Sequence, residues 1–265
     1  MYHTTYARAA TLSDAKSRLG AASDGKYLAG GQTLLPTMKA RLAAPSDLID
    51  LTHLSEISGI AVADGVVTIG AAVRHAEVAA SAEVRAAIPA LAELAGHIGD
   101  PAVRNRGTLG GSLANNDPAA DYPAAALGLA ATIVTDRREI PADEYFEGMF
   151  TTALEEDEIV TAVRFPVPLK AAYEKFPNPA SRYAMVGVFA ALTEAGPRVA
   201  VTGAGSDGVF RHAAIEAALA DGWSGDAVQS AVTDPSEMVS DIHASATYRA
   251  HLTNVIARRA IDKAT

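Results

Sequence analysis

Residues 99–123 read GDPAVRNRGTLGGSLANNDPAADYP and are the most informative stretch of this sequence. Glycine, proline, asparagine and aspartate are frequent in it, which is typical of a loop. Long loops in compact domains are usually functional or disordered, and the apolar residues Val103, Leu109 and Leu113 argue against disorder. Glycines let backbone N–H groups approach an anion closely, and neighbouring hydroxyl side chains add donors. The residues favour a phosphate or cofactor loop, with a purely structural loop as the alternative.

A second glycine stretch, AGGQTLLP, occupies residues 29–36. It follows a predicted strand over residues 26–29 and opens a predicted helix over residues 35–43. The N–H groups and the dipole at the start of a helix favour a phosphate. By itself such a turn is often only a tight connection. Two glycine loops in one acidic chain are more informative, because a dinucleotide has two phosphates to neutralise and backbone N–H groups can replace lysines.

The composition excludes several classes of protein. The 265 residues include 22 basic and 31 acidic side chains, a net charge of −9, which argues against a nucleic-acid or anionic-membrane partner. There is no cysteine, so this chain holds neither disulfides nor iron–sulfur clusters. Neither a secretory signal nor an apolar run of membrane-spanning length is visible. A soluble cytoplasmic protein of roughly two domains is therefore the default expectation.

Three other motifs have simpler interpretations. GAGSDG at residues 203–208 matches a dinucleotide-binding pattern, but no apolar strand follows it to complete the unit, so we predict a turn. The seven histidines show no metal-binding spacing. The acidic run EEDE at residues 155–158 predicts a solvated turn.

The remaining pattern predicts an α+β fold in three regions, with boundaries near residues 55 and 167. Asp64-Gly65 between two apolar runs predicts a tight hairpin. A helical stretch over residues 75–98 is interrupted near Pro89. Strands are predicted over residues 47–51, 131–135, 159–165, 172–176, 185–192 and 198–202, and a long helix over residues 246–263.

Four stretches of the chain resemble those of a known family. They are the two glycine stretches, EIVTAVRFP at residues 158–166 and NPASRYAMVGV at residues 178–188. The chain resembles the medium, FAD-binding subunit of the molybdenum hydroxylases, which include carbon monoxide dehydrogenase and bacterial xanthine dehydrogenases. The resemblance covers essentially the whole chain. It implies a p-cresol methylhydroxylase-type FAD-binding domain over residues 1–167, with α+β subdomains 1–55 and 56–167. A smaller C-terminal α+β domain, like that of carbon monoxide dehydrogenase flavoproteins, is implied over residues 168–265.

The resemblance also implies which residues contact FAD. Residues 29–35 should cradle the pyrophosphate through backbone N–H groups, and residues 108–112 should add backbone and hydroxyl donors. Asp121 should accept hydrogen bonds from cofactor hydroxyls. The residues that should lie near the flavin ring are Val160, Lys175, Tyr183 and Met185. For Lys175 the alternative is an exposed lysine on a strand. The expected cofactor-binding residues are Ala29, Gly30, Gly31, Gln32, Thr33, Leu34, Leu35, Thr108, Leu109, Gly110, Gly111, Ser112, Asp121, Val160, Lys175 and Tyr183.

The function implied by the resemblance is one step of an electron relay. A large partner subunit with a molybdenum cofactor oxidises the substrate, and a small iron–sulfur subunit passes the electrons to the FAD on this chain, which delivers them to an external acceptor. No catalytic acid–base pair is then needed here, because the cofactor carries the chemistry. A heterotrimer that pairs into a dimer is expected. The alternatives are a stand-alone FAD-dependent oxidoreductase of the same fold and a non-enzymatic nucleotide-binding protein.

Overall fold

The fold is known from a computed structural model, which describes residues 1–264. A three-stranded sheet, a five-stranded sheet and a four-stranded sheet follow one another along the chain, and helices connect many of their strands. A two-stranded ribbon is formed by residues that lie between two strands of the five-stranded sheet. The three-stranded sheet is parallel, and the others are antiparallel. The predicted α+β class is confirmed.

The parallel sheet is built by the first fifty residues. Its strands lie in the order β1-β3-β2. The predicted strands near residues 26 and 47 are confirmed, whereas β1 and α1 were not anticipated, because α1 is polar and buries only Ala15. The elements are β1 (Thr5–Arg8), α1 (Leu12–Ala21), β2 (Gly25–Leu28), α2 (Leu34–Lys39) and β3 (Asp47–Asp50).

The five-stranded sheet begins with the predicted hairpin. Asp64 and Gly65 have φ angles of 51° and 73°, the positive values that a tight two-residue turn requires. The helical stretch that follows is three short helices, and Pro89 begins the third. The elements are β4 (Ile60–Ala63), β5 (Val66–Gly70), α3 (His75–Ala80), α4 (Ala82–Ala87) and α5 (Pro89–Gly96).

Residues 99–123 are not the long loop that their composition predicted. They contain two short helices and the start of a third, α6 (Pro101–Arg104), α7 (Leu109–Asn115) and α8 (Tyr122–Gly128). The side chains of Asp100 and Thr108 accept hydrogen bonds from the N–H groups of Val103 and Gly111, at 2.9 and 3.1 Å. The prediction was wrong because these loop-forming residues act as helix caps here.

The rest of the five-stranded sheet follows α8, and its strands lie in the order β4-β5-β10-β6-β7. Strands β6 and β10 agree with the sequence, whereas the intervening elements are two to four residues long and carry no periodic signal. These elements are β6 (Thr132–Thr135), β7 (Glu139–Pro141), α9 (Ala142–Tyr145), β8 (Phe146–Gly148), β9 (Thr151–Thr152) and β10 (Val160–Pro166).

The C-terminal sheet contains the three predicted strands and a two-residue fourth. The GAGSDG segment forms the predicted turn, with Gly203 and Gly208 at φ angles of 81° and 102°. The long helix agrees with its predicted bounds and packs on β11 and β12. The elements are β11 (Lys170–Pro177), β12 (Ala184–Thr193), β13 (Gly196–Thr202), β14 (Phe210–Arg211), α10 (Ala213–Ala218) and α11 (Ala246–Lys263).

The C-terminal sheet holds residues 116–121, which connect α7 to α8. The hydroxyl of Thr202 donates within this segment, its oxygen lying 2.7 Å from the Ala120 carbonyl and 3.0 Å from the Pro118 carbonyl. The N–H of Gly203 also donates to the Pro118 carbonyl, at 2.8 Å. Helix α8, whose residues are all buried, packs against β12 and β13. Within the described part of the chain, no helix is long and apolar enough to cross a membrane.

Candidate functional site

A cavity of about 820 Å³ lies where the first two sheets meet the start of the third. Small-molecule sites usually measure about 300–1,000 Å³, so the cavity is large enough for a dinucleotide-sized ligand. Both glycine stretches, the segment 116–121 and the first residues of β10 contribute to its wall.

The structure brings most of the expected cofactor-binding residues to this one cavity. The exceptions are Leu35, Leu109 and Lys175, which do not line it, and Met185 lines a smaller neighbouring cavity of about 280 Å³. Leu109 is fully buried in the core. The expected residues that line the large cavity are Ala29, Gly30, Gly31, Gln32, Thr33, Leu34, Thr108, Gly110, Gly111, Ser112, Asp121, Val160 and Tyr183.

The first glycine stretch offers a run of unused backbone donors. None of the N–H groups of residues 29–33 donates a hydrogen bond within residues 1–264. Gly31 lies at a φ of 70°, a conformation that side-chain-bearing residues rarely adopt. An uncommitted run of N–H groups in a cavity wall is suited to binding an anionic oxygen.

The two glycine stretches are pressed against each other. A Cβ atom on Gly30 would lie 2.2 Å from the carbonyl oxygen of Arg106 and 2.6 Å from the Cα of Gly107. Only glycine fits at such a distance. The structure therefore requires Gly30 for the contact between the two stretches, apart from any contact with a ligand.

The second glycine stretch has fewer free donors than its sequence suggests. The N–H groups of Leu109 and Gly110 donate to the carbonyls of Val73 and Ala71, at 3.0 and 2.9 Å. Those of Gly111 and Ser112 are bonded to Thr108. This stretch thus offers a ligand mainly hydroxyl groups and the N–H of Thr108.

Asp121 is a buried carboxylate in the cavity wall. Its Oδ1 accepts hydrogen bonds from the Tyr173 hydroxyl at 2.5 Å and from the Lys175 ammonium at 2.9 Å. Burial raises the pKa of Asp121, and the nearby Lys175 charge acts against that rise. Oδ2 makes no hydrogen bond within the described residues and is not sealed from solvent, so it is the oxygen available to a ligand.

Lys175 lies behind the cavity wall. Its side chain is 5% exposed, and its Nζ also donates to the carbonyl of His97 at 3.0 Å. The alternative of an exposed strand lysine is therefore wrong. Lys175 does not itself line the cavity, but it is paired with Asp121, which does.

Among the cavity residues that were not predicted from sequence are two buried ionisable side chains. His75 is 5% exposed, and burial, with the Arg104 charge, lowers its pKa to about 4. Glu158 is also 5% exposed, which contradicts the solvated turn predicted for it. The pKa of Glu158 is lowered to about 2, and the largest cause is its hydrogen bonding to Arg138. The partner Arg138 lies twenty residues away, so no local pattern reports this pair.

The cavity fits FAD chemically. The free N–H groups of residues 29–33 suit a pyrophosphate, and Asp121 Oδ2 suits the hydroxyls of a sugar or sugar-alcohol chain. Apolar side chains also line the cavity, among them Leu51, Ile57 and Val103, and they suit the planar rings of a cofactor. Backbone N–H groups can act as donors to an anion, so the net charge of −9 does not argue against anion binding in this cavity.

Comparison with known proteins gives one consistent result. Residues 2–168 match the family described as the FAD binding domain in molybdopterin dehydrogenase. The chain is 34% identical to the carbon monoxide dehydrogenase medium chain of Hydrogenophaga pseudoflava, over 91% of this chain and 90% of that protein. It is 35% identical to the nicotine 6-hydroxylase medium subunit of Paenarthrobacter nicotinovorans, over 98% and 96%. A chain of reconstituted carbon monoxide dehydrogenase from Oligotropha carboxidovorans superposes with a TM-score of 0.91, at 30% identity and over 98% and 97% of the two chains.

Proposed function

Because the chain belongs to the family of FAD-binding medium subunits of molybdenum hydroxylases, we propose that it is the electron-transfer subunit of such an enzyme. In this proposal it takes electrons from iron–sulfur clusters on a small partner subunit and delivers them to an external acceptor. A large partner subunit holds the molybdenum cofactor and oxidises the substrate. The three chains form a heterotrimer, which pairs into a dimer.

The observation that carries the proposal is the run of free N–H groups in a chain without cysteine. Residues 29–33 present donors to a cavity of dinucleotide size, which supports FAD binding. The absence of cysteine means that these 265 residues supply no cysteine ligands for iron–sulfur clusters, which the proposal places on a partner subunit. Together these features favour one flavin step of a relay over a complete enzyme on one chain.

Each part of the cavity has a proposed role toward FAD. The N–H groups of residues 29–33 bind the pyrophosphate, and the hydroxyls of Thr108 and Ser112 add donors to it. Asp121 Oδ2 accepts from the hydroxyls of the ribityl chain. Val160 and Tyr183 lie beside the flavin ring, where Val160 excludes water and the half-exposed Tyr183 covers one ring face.

The chemistry supplied by bound FAD is the acceptance of two electrons and their release one or two at a time. The chain contributes position and electrostatics. Lys175 neutralises Asp121, so this carboxylate adds little net negative charge next to a cofactor that is itself anionic. This arrangement keeps Asp121 available as an acceptor without repelling the pyrophosphate.

We also propose that the FAD-binding domain spans residues 1–167 and that the C-terminal domain begins at residue 168. The family match over residues 2–168 supports this boundary. The C-terminal domain would contribute to the site through Tyr173, Lys175 and Tyr183, which hold or line the cavity wall.

An absorption spectrum of the purified full chain tests FAD binding. We expect visible flavin bands that sediment with the protein, and we expect FAD to be released when the protein is denatured. A colourless chain that fails to take up FAD both alone and when expressed with its genomic neighbours would contradict the proposal.

Purification through a tag on this chain tests the relay. Copurification of a cysteine-rich small subunit and a molybdenum-containing large subunit is expected. The stand-alone alternative predicts instead that the isolated yellow chain oxidises a substrate and reduces a dye without partners.

A further inference from the structure

His75 begins α3 and lies at the contact between the two glycine stretches. Its backbone N–H donates to the Gly107 carbonyl at 3.0 Å. A Cβ atom on Gly107 would lie 2.5 Å from His75 Nε2, so Gly107 makes room for this ring nitrogen. The imidazole packs against Tyr122, with 5.4 Å between the ring centroids. The ring is therefore fixed on one side, while its other side belongs to the cavity wall.

The two ring nitrogens of His75 differ in accessibility. Nδ1 is sealed from solvent and has no hydrogen-bond partner among residues 1–264. Nε2 also has no partner there, but it is not sealed, and it is the ring nitrogen that a ligand in the cavity can reach. An unpaired polar atom in the wall of a cavity is expected to meet its partner on the ligand.

Burial also decides which nitrogen carries the hydrogen. A neutral imidazole has one N–H donor and one acceptor nitrogen. A buried N–H without an acceptor is rarer in proteins than a buried acceptor without a donor. The sealed Nδ1 is therefore the acceptor, and the hydrogen is on Nε2, at the accessible position.

We propose that the Nε2–H of His75 donates a hydrogen bond to a phosphate oxygen of the bound dinucleotide. The position of Nε2 supports a phosphate as the acceptor: it lies beside Gly107, whose Cα faces Gly30 in the run of free N–H groups. A side-chain donor and the backbone donors thus converge on one anion. This inference rests on the proposed function, because the anion is the pyrophosphate of FAD.

Two variants at this position test the donor separately from the packing of the ring. His75→Phe keeps an aromatic ring against Tyr122 and removes the N–H, whereas His75→Gln restores a donor near the position of Nε2. Removal of a hydrogen bond to a charged group corresponds to about a 10- to 100-fold loss of affinity. We expect the Kd for FAD, measured by flavin fluorescence on the full chain, to rise by that factor in His75→Phe. His75→Gln should recover most of the loss, and the exposed His251→Gln should leave the Kd unchanged.

Nitrogen-15 NMR of the histidine side chains gives a readout that does not depend on the variants. In the wild-type chain we expect the Nε2–H tautomer, and a shift of that N–H resonance when FAD is added. A protonated Nδ1, or an N–H resonance unaffected by saturating FAD, would overturn the inference. So would wild-type affinity in His75→Phe. Failure of the wild-type chain to bind FAD, both alone and when expressed with its genomic neighbours, would instead reject the proposed function itself.

Discussion

The ammonium of Lys175 lies 2.9 Å from the carboxylate of Asp121, and each side chain is 5% exposed. The two residues come from different parts of the chain, since Asp121 precedes α8 and Lys175 is on β11. Removing one partner of a buried ion pair leaves an unpaired charge in a poorly solvated place. The pair therefore links the wall of the cofactor cavity to the stability of the whole chain.

Replacing Lys175 by Met is expected to destabilise the chain without FAD by about 3–5 kcal/mol, because Asp121 loses its counter-charge. Denaturant unfolding of the apo chain measures this effect. Replacing Asp121 by Asn in the same chain should recover much of the loss, whereas Lys39→Met, at an exposed helix position, should cost little. Equal stability of Lys175→Met and the wild type would show that the pair does not have this role.

Replacing Gly30 by Ala is expected to destabilise the chain by about 1–3 kcal/mol and to abolish tight FAD binding. The new Cβ would meet the Arg106 carbonyl at 2.2 Å, and a backbone atom cannot rotate away as a side chain can. Gly20→Ala is the matched control, since Gly20 lies in α1 with no neighbour within 4 Å. That control should gain about 0.5–1 kcal/mol from helix propensity. Thermal unfolding and FAD titration of both variants check the contrast.

Acid stability should depend on Glu158. Its folded-state pKa of about 2 lies below the ordinary value of 4.5, so its contribution is complete above pH 4.5 and is lost as the pH falls toward 2. The contribution amounts to no more than about 3.4 kcal/mol. In Glu158→Gln the free energy of unfolding should be lower at pH 7 and should fall less between pH 5 and pH 2. The exposed Glu156→Gln serves as the control, and an identical pH profile for Glu158→Gln and the wild type would refute the expectation.

FAD itself should stabilise the chain. At a free concentration one hundred times the Kd, binding to the folded state alone adds about 2.7 kcal/mol. For a chain of this size we expect Tm to rise by about 5–10 °C. Differential scanning calorimetry with and without FAD measures the shift. Riboflavin, which lacks the pyrophosphate, should raise Tm much less than FAD does. A rise in Tm equal to that produced by FAD would contradict the role proposed for residues 29–33.

Local patterns predicted much of the fold. The hairpin at Asp64 and Gly65, the strands of the C-terminal sheet and the long helix α11 are all set by nearby residues, and the sequence located them. The short helices in residues 99–123 were missed because Asp100 and Thr108 are equally common in turns and at helix caps.

The site was harder to predict in detail than in outline. The two glycine stretches indicated the cavity, and the structure brings both to it. Glu158 is paired with a residue 20 positions away, and Lys175 is paired with Asp121, 54 positions away. The burial of His75 depends on the packing of several elements. Composition and periodicity carry no information about such contacts.

The hydrogen bonds from Thr202 and Gly203 to residues 118 and 120 have a consequence for how this chain can change during evolution. A segment in the wall of the cavity is held in place by a strand that lies beyond the family-matched residues 2–168. Recombination that exchanged the C-terminal part between two relatives would therefore also exchange the support of the cofactor. We therefore expect the two parts to be inherited together, even though the chain divides into separate sheets.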